Sequence, residues 1–235
     1  MEKIVYMIAK LINRIKLKLI KLRLQPIRVF CLHHVCKTYE ESTMYYDDWM
    51  QIDEFKAKVL SMQQNRVEFI SLTDAYAKLT NDKFRNHKYA VLTFDDGYAS
   101  LNEILPWMEG QNIPATLFIN GKYLDGKSYR DNPNEKYLTK KELFSLTSPL
   151  IEIGSHGWEH NRLTDMKMEE FEKSVEQNVR LLSEHPSYVP FWAYTYGTHT
   201  KISDEYLRGQ KILPIYIEGS RNYNNKNYID REFLN

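Results

Sequence analysis

The chain has 235 residues, of which 43% are hydrophobic and 27% charged, with 32 basic and 31 acidic side chains. This composition excludes a disordered, collagen-like or disulfide-rich protein, and two cysteines, Cys31 and Cys36, are too few for a disulfide framework. The length suits one domain with a sizeable core.

The charges are unevenly distributed along the chain. Residues 1–30 carry eight basic side chains and one acidic side chain, whereas the remaining 205 carry 24 basic and 30 acidic. A mildly acidic body argues against a nucleic-acid-binding face, so we expect no nucleic-acid partner. The sequence leaves the oligomeric state open.

Residues 1–26 form a basic arm in which apolar residues recur every three or four positions up to Pro26. This spacing predicts an amphipathic helix, and its frequent charges exclude a signal peptide and a transmembrane helix. Two interpretations remain open: a helix packed on the body or partly disordered, or a helix (residues 1–24) lying on an anionic membrane. We therefore expect a cytoplasmic protein, peripheral to the inner face of the membrane under the second interpretation.

From residue 27 onward, short β-rich runs alternate with helical patterns. The predicted strands are 28–35, 67–72, 89–94, 115–120, 151–154, 188–194 and 212–217, and the predicted helices are 53–64, 74–80, 101–111, 140–147, 167–184 and 203–210. Such alternation predicts a mostly parallel sheet covered by helices, in one domain over residues 27–235. Thr139 with Glu142 indicates a capping box, and Thr73 and Ser203 are predicted N-caps.

Two adjacent carboxylates, Asp95 and Asp96, follow the predicted strand 89–94 and precede Gly97. Adjacent side chains in extended backbone point to opposite sides, so the two carboxylates suit different tasks. Asp-Gly is also a common turn dipeptide, and magnesium-dependent phosphoryl-transfer domains place Asp at strand ends as well. This motif alone does not decide the chemistry.

Two histidines, His156 and His160, follow the predicted strand 151–154 at a spacing of four residues. At this spacing two imidazoles reach one metal ion, and magnesium prefers oxygen ligands instead. With one Asp they complete three protein ligands and an open position, which is the catalytic arrangement rather than the structural one.

A third motif, Tyr194-Thr195-Tyr196-Gly197, ends the predicted strand 188–194. Three aromatic residues in or near the motifs are predicted to contact a sugar: Tyr98, Trp158 and Tyr194. His87 and His185 lie beside polar residues and are predicted to be surface groups.

Taken together, these motifs resemble the polysaccharide deacetylase family, also called carbohydrate esterase family 4 or the NodB-homology domain. The resemblance spans roughly residues 28–235. Residues 31–35 resemble its circularly permuted branch, which includes biofilm poly-N-acetylglucosamine deacetylases. The resemblance implies an α/β fold, a distorted (β/α)7 barrel, and one divalent metal, usually Zn²⁺, with Co²⁺, Ni²⁺ and Mn²⁺ as alternatives.

The family pattern also implies a role for each motif residue. Asp95 would be the general base, and the backbone amide of Tyr196 would help to hold the oxyanion. His33 would be the general acid in the permuted branch, and His199 is a second candidate. The implied metal ligands are Asp96, His156 and His160.

Three positions depart from the family pattern. Ala193 stands where the third motif usually has Arg, Thr195 stands where it usually has Pro, and Gly157 replaces the usual Ser or Thr. No His follows His199, so the ordinary C-terminal acid is absent.

These residues predict metal-dependent hydrolysis of acetyl groups from N-acetylated sugars of a polysaccharide or glycan precursor. Three alternatives remain open: an O-acetyl esterase of the same family, a carbohydrate-binding pseudoenzyme, and a membrane-peripheral structural partner recruited by the basic arm. The sequence does not name the sugar.

Overall fold

A computed structural model of the protein describes residues 27–37, 49–81, 87–126, 136–217 and 224–234. The strands in these ranges are β1 (Ile27–Leu32), β2 (His34–Cys36), β3 (Trp49–Gln51), β4 (Val67–Phe69), β5 (Lys88–Phe94), β6 (Ala115–Ile119), β7 (Ile151–Ser155), β8 (Tyr188–Ala193), β9 (Leu213–Tyr216), β10 (Ile229–Asp230) and β11 (Glu232–Phe233). The helices are α1 (Ile52–Gln64), α2 (Leu72–Thr80), α3 (Leu101–Gly110), α4 (Lys140–Ser145), α5 (Met168–Leu182) and α6 (Lys201–Gly209). All seven predicted strands are therefore present, and most of their ends differ from the prediction by one to three residues.

Nine of these strands form one parallel sheet, in the order β10-β9-β8-β7-β6-β5-β1-β11, with β4 pairing with β5 beside this path. Only Arg231 separates β10 from β11, yet β10 pairs with β9 and β11 pairs with β1. The segment 229–233, which we call the closing strand, thus joins the two ends of the sheet into a nearly closed barrel. The predicted barrel fold is confirmed.

Alternating residues of these strands fill the barrel. The interior cluster includes Ile27 and Val29 of β1, Val91 of β5 and Ile229 of the closing strand. Residues of the opposite parity, such as Phe30 and Leu92, belong to a second cluster that packs against α1 and α3. Because these parallel strands are buried on both faces, their sequences are continuous apolar runs rather than alternating patterns.

Helix α2 closes the N-terminal end of the barrel. Its residues Leu72, Ala75 and Leu79 belong to the interior cluster. The buried carboxylate of Glu152 on β7 accepts hydrogen bonds from the backbone N–H groups of Leu72 and Thr73 and from the Thr116 hydroxyl. An anion at a helix N-terminus satisfies its exposed donors and complements the helix dipole, so Glu152 fixes α2 to the sheet.

The helix starts agree only in part with the prediction. The capping box of Thr139 and Glu142 is confirmed at α4. The predicted caps Thr73 and Ser203 are wrong, because Ser71 caps α2 and Thr200 caps α6. In both cases a hydroxyl two or three residues earlier reaches the free N–H groups.

The basic arm, residues 1–26, lies outside the described residues. Within the described ranges, none of the helices combines the length and the apolar character needed to cross a bilayer.

Candidate metal centre and active site

The three sequence motifs meet at the carboxyl edge of the barrel. Because β5, β7 and β8 are parallel, the residues that follow them lie at the same edge. Asp95 and Asp96 follow β5, His156 and His160 follow β7, and Tyr196 follows β8.

The structure brings Asp96, His156 and His160 together as a potential metal centre. Their nearest ligand atoms all lie within 4.8 Å of one another. The Asp96 Oδ1 atom is 3.4 Å from His156 Nε2 and 3.2 Å from His160 Nε2. This is the ligand set that the sequence predicts.

A second contact fixes the His156 ring in the orientation that a metal ligand requires. Its Nδ1 lies 2.8 Å from the carbonyl oxygen of Ala193, and since a carbonyl only accepts, Nδ1 carries the proton. Nε2 is then the ring nitrogen that faces Asp96. Asn120 supports the same loop by donating to the carbonyl oxygens of His156 and Gly157. Backbone contacts of this kind orient metal-binding imidazoles in known sites.

The environment of Asp96 fits a bound cation. Its side chain is buried, and neither carboxylate oxygen accepts a hydrogen bond from a residue that the structure describes. Burial raises the pKa of Asp96, but the imidazoles of His160 and His156 lower it by more, so the carboxyl stays ionised. A buried, unsatisfied carboxylate is costly unless a positive charge is present. Two imidazoles and one carboxylate suit Zn²⁺ and similar transition metals better than Mg²⁺.

The turn after β5 separates the two carboxylates. Asp96 has a φ of 69° and Gly97 a φ of 83°, so both residues are left-handed, a conformation that costs energy for Asp. This turn directs Asp96 to the imidazoles, and Asp95 to a different partner.

That partner is Arg231, which lies within the closing strand and is 1% exposed. Its two terminal nitrogens bind the two Asp95 oxygens at 2.6 and 2.8 Å, and one of them also donates to the Thr93 hydroxyl at 3.1 Å. Burial raises the pKa of Asp95, but the Arg231 guanidinium and then His156 outweigh it and hold that pKa well below its usual range. Asp95 is therefore an ionised carboxylate, 3.8 Å from His156 Nε2.

Sequence reasoning missed Arg231. Ala193 stands where the third motif of the family usually has Arg, and nothing in that motif points to an arginine elsewhere in the chain. Ala193 is fully buried in the barrel interior, and the guanidinium enters from the closing strand instead. The only signal in the sequence is an arginine flanked by Asp230 and Glu232 near residue 230, which looks like a polar loop.

Of the two candidate acids, His33 is the one placed beside Asp95. One ring nitrogen of His33 and one carboxylate oxygen of Asp95 belong to a group, completed by the Cys31 sulfur, whose atoms lie within 4.8 Å of one another. His199 instead contacts Asp204, Tyr194 and Tyr216, with its Nδ1 3.5 Å from the Asp204 carboxylate.

The turn that contains Tyr196 is tied to the loop of residues 156–162, which carries the two candidate metal-binding histidines and which we call the histidine loop. Tyr196 is left-handed with a φ of 55°, and its ring lies 4.5 Å from that of His160. The Thr195 hydroxyl donates to the carbonyl oxygen of Asn161 through a short hydrogen bond. Proline could not make this bond, so the departure at Thr195 adds a link between the two loops.

Two of the three predicted sugar contacts are too buried to bind a sugar. Tyr98 is 0% and Tyr194 is 2% exposed, and the Tyr194 hydroxyl donates to Asp204. Neither ring therefore offers a face to a glycan, which corrects the expectation for both. Trp158 is partly exposed and lines a cavity of about 410 Å³ between the histidine loop and α5. His185, predicted at the surface, is 2% exposed and bonded to the Leu143 carbonyl.

Comparison with known sequences assigns the chain to a family. It belongs to the polysaccharide deacetylase family, whose sequence model matches residues 82–212. YxkH of Bacillus subtilis (strain 168), assigned to the polysaccharide deacetylases, is 25% identical over 129 residues, which are 54% of this chain. The chain spans less than half of that relative, since the matched part is 43% of its length.

Three solved structures share the fold over most of the chain. IcaB from Ammonifex degensii superposes with a TM-score of 0.76 at 19% identity, covering 90% of this chain and 92% of IcaB. A de-N-acetylase from Aggregatibacter actinomycetemcomitans gives 0.73 at 17% identity, with 89% and 95% covered. The Streptococcus pyogenes deacetylase PplD, solved with acetate, gives 0.69 at 17% identity, with 89% and 92% covered.

Proposed function

We propose that the protein removes acetyl groups from N-acetylated sugars of a polysaccharide or glycan precursor. The observation that carries this proposal is the buried, unsatisfied Asp96 carboxylate beside His156 and His160, with the ionised Asp95 immediately next to them. Membership of the family supports deacetylation in general. The type of bond that is cleaved, the sugar and the metal are parts of our proposal.

Asp96, His156 and His160 would hold one divalent cation, most simply Zn²⁺. When bound, such an ion lowers the pKa of a coordinated water and polarises the acetyl carbonyl. The chain itself must then accept one proton, stabilise the developing oxyanion and supply one proton to the leaving nitrogen.

Asp95 is suited to accept the proton of the attacking water. Its carboxylate is ionised, and the Arg231 contacts fix its orientation while leaving further lone pairs on each oxygen. The Tyr196 backbone N–H is the proposed hydrogen-bond donor to the carbonyl oxygen as negative charge develops on it. A donor of this kind contributes roughly 3–4 kcal/mol.

His33 is the proposed general acid. An amine leaves poorly unless it is protonated, and the His33 ring lies beside Asp95 at the same edge of the barrel. Protonation of the nitrogen accompanies cleavage of the C–N bond and yields acetate and the free amino sugar. A matched pair of variants, His33→Ala and His199→Ala, tests this choice, and we expect only the first to lose activity.

Metal analysis combined with acetate release from N- and O-acetylated glycans tests the proposal. We expect Asp96→Asn to lose most of its metal, and Asp95→Asn to keep metal but lose at least about a hundredfold in kcat. Asp53→Asn, an exposed carboxylate on α1, is the matched control and should change neither.

Three outcomes would contradict parts of this proposal. Loss of metal in Asp95→Asn would overturn the division of roles between the two carboxylates. Release of acetate from O-acetylated glycans alone would identify an esterase. Binding of glycan without any acetate release in metal-loaded protein would identify a pseudoenzyme.

A further inference from the structure

The described residues include four large apolar side chains that are exposed: Leu60, Tyr196, Ile202 and Phe233. Leu60 lies on α1 and Ile202 lies on α6. The other two are aromatic, and each contacts an imidazole of the candidate site. The Tyr196 ring lies against His160, and the Phe233 ring lies 6.2 Å from the His33 ring at an interplanar angle of 27°.

Of these two aromatic rings, Tyr196 already has neighbours on its surface. The Arg162 guanidinium lies 4.0 Å from its ring centre, and the His160 ring meets it at an angle of 62°. A guanidinium stacked at this distance covers one aromatic face. Tyr196 is 49% exposed, but a cation lies over its ring and the candidate metal ligand His160 meets it as well, so we consider Phe233 as the sugar contact.

Phe233 reaches the rim of the barrel through the alternation of the closing strand. Ile229 and Arg231 share its parity and are 0% and 1% exposed, whereas Phe233 is 38% exposed. Its register partner on β1 is Cys31, two residues before His33. The inward-facing side chains of the closing strand are therefore Ile229 in the core, Arg231 beside Asp95, and Phe233 beside His33.

The closing strand holds this ring in place before any ligand arrives. Glu232 pairs with Arg28 at 2.7 Å, and backbone pairing joins β11 to β1 at Phe30 and Cys31. A rigid aromatic wall loses little conformational entropy when a ligand packs on it.

Resting on the proposed function, we propose that Phe233 is a sugar-binding residue. Its ring packs against the apolar C–H face of the pyranose whose amide nitrogen His33 protonates. The leaving nitrogen must lie within hydrogen-bond reach of His33, so the sugar that carries it lies beside the adjacent Phe233 ring. Ligand pockets are commonly lined by aromatic rings with a few polar groups, which agrees with this arrangement.

Binding of a glucosamine oligomer, measured by calorimetry on metal-loaded protein, tests the proposal without requiring catalysis. We expect Phe233→Ala to weaken binding and to raise KM for N-acetylglucosamine oligomers, each by about tenfold, with kcat at saturation changed less than twofold. Phe233→Tyr should bind as the native protein does, and Phe233→Leu, which keeps apolar volume without a flat ring, should be weakened. Ile202→Ala is the matched exposed apolar control and should have no effect.

Two results would overturn the proposal. The first is unchanged oligomer binding in Phe233→Ala, or in Phe233→Leu if the alanine variant fails to fold. The second is a fall in kcat with unchanged binding, which would show that Phe233 positions His33 instead. Failure of the proposed function is a different result, namely absence of acetate release from the native protein, and the binding measurement remains decisive in that case.

Discussion

Asp95 and Asp96 are neighbours in sequence but have opposite surroundings. Asp96 faces two imidazoles and accepts no hydrogen bond from a described residue, whereas both oxygens of Asp95 are bound by Arg231. The left-handed turn at Asp96 and Gly97 produces this separation. The sequence therefore predicts that Asp95 and Asp96 have different roles. It does not predict the partner of either carboxylate, because those partners lie far away along the chain.

The Asp95–Arg231 pair gives a testable pH dependence. The guanidinium lowers the pKa of Asp95, so the carboxylate remains a base at pH values below the ordinary carboxyl range of about 3.9. Its contribution to stability is likewise present above that value and is lost as the pH falls through the lower folded pKa. In Arg231→Lys, we expect about a tenfold loss of kcat/KM and an acid limb moved to higher pH, with metal content unchanged.

The pH profile of kcat/KM at saturating metal is the measurement. Arg208→Lys is the matched control, because Arg208 is an exposed arginine on α6 that bonds to the Asn227 carbonyl. An acid limb that does not move in Arg231→Lys would show that Asp95 is not the group that sets it.

At the scale of elements, the sequence predicted the barrel strands well and their closure poorly. Strands such as β5 and β6 are continuous apolar runs buried on both faces, which is a strong local signal. The closing strand is two short pieces around Asp230, Arg231 and Glu232, and its pairing with β9 and β1 depends on residues far along the chain. A polar pentapeptide carries no local sign of such pairing.

Side-chain burial was also hard to predict where a second element supplies it. Tyr194 is covered because α6 brings Asp204 to its hydroxyl, and His185 is covered by the end of α4. The proximity of the three proposed metal ligands was easier to predict, because it depends on one loop and on the order of parallel strands. His156 and His160 lie in one loop, and parallel strand order brings that loop to Asp96.

His185 connects two helices and gives a prediction on stability. Its Nε2 donates to the Leu143 carbonyl in α4, and burial lowers its pKa. A lowered pKa means that its contribution to stability is complete above the unfolded value of about 6.5 and is lost as the pH falls. We expect His185→Gln to lower the unfolding free energy by about 1 kcal/mol at neutral pH and to reduce its pH dependence.

Urea denaturation at about pH 7.5 and about pH 5 measures this difference, since the interval spans the ordinary histidine pKa. His87→Gln replaces an exposed histidine and should leave the pH dependence as in the native protein. Equal pH dependence in native protein and His185→Gln would contradict the prediction.

At the scale of the whole molecule, residues 1–26 are basic and the body is mildly acidic. This charge separation supports the proposal that residues 1–24 bind an anionic membrane surface. Deleting residues 1–24 should abolish pelleting with anionic vesicles, because those residues carry the basic charge. Acetate release should be unchanged, since every candidate site residue lies in the described barrel. Vesicle binding that survives the deletion would refute a membrane role for the arm.

The strand that completes the barrel also carries the counter-ion of the proposed base, and it is synthesised last among the elements of the site. Arg231 follows its partner Asp95 by 136 positions. A chain shortened before Ile229 keeps Asp96, His156 and His160, the proposed cation ligands, yet it lacks the guanidinium that pairs with Asp95. Under the proposed mechanism, such a fragment would be inactive even where the three residues still bound a cation, because closure of the sheet and pairing of the base depend on the same five residues.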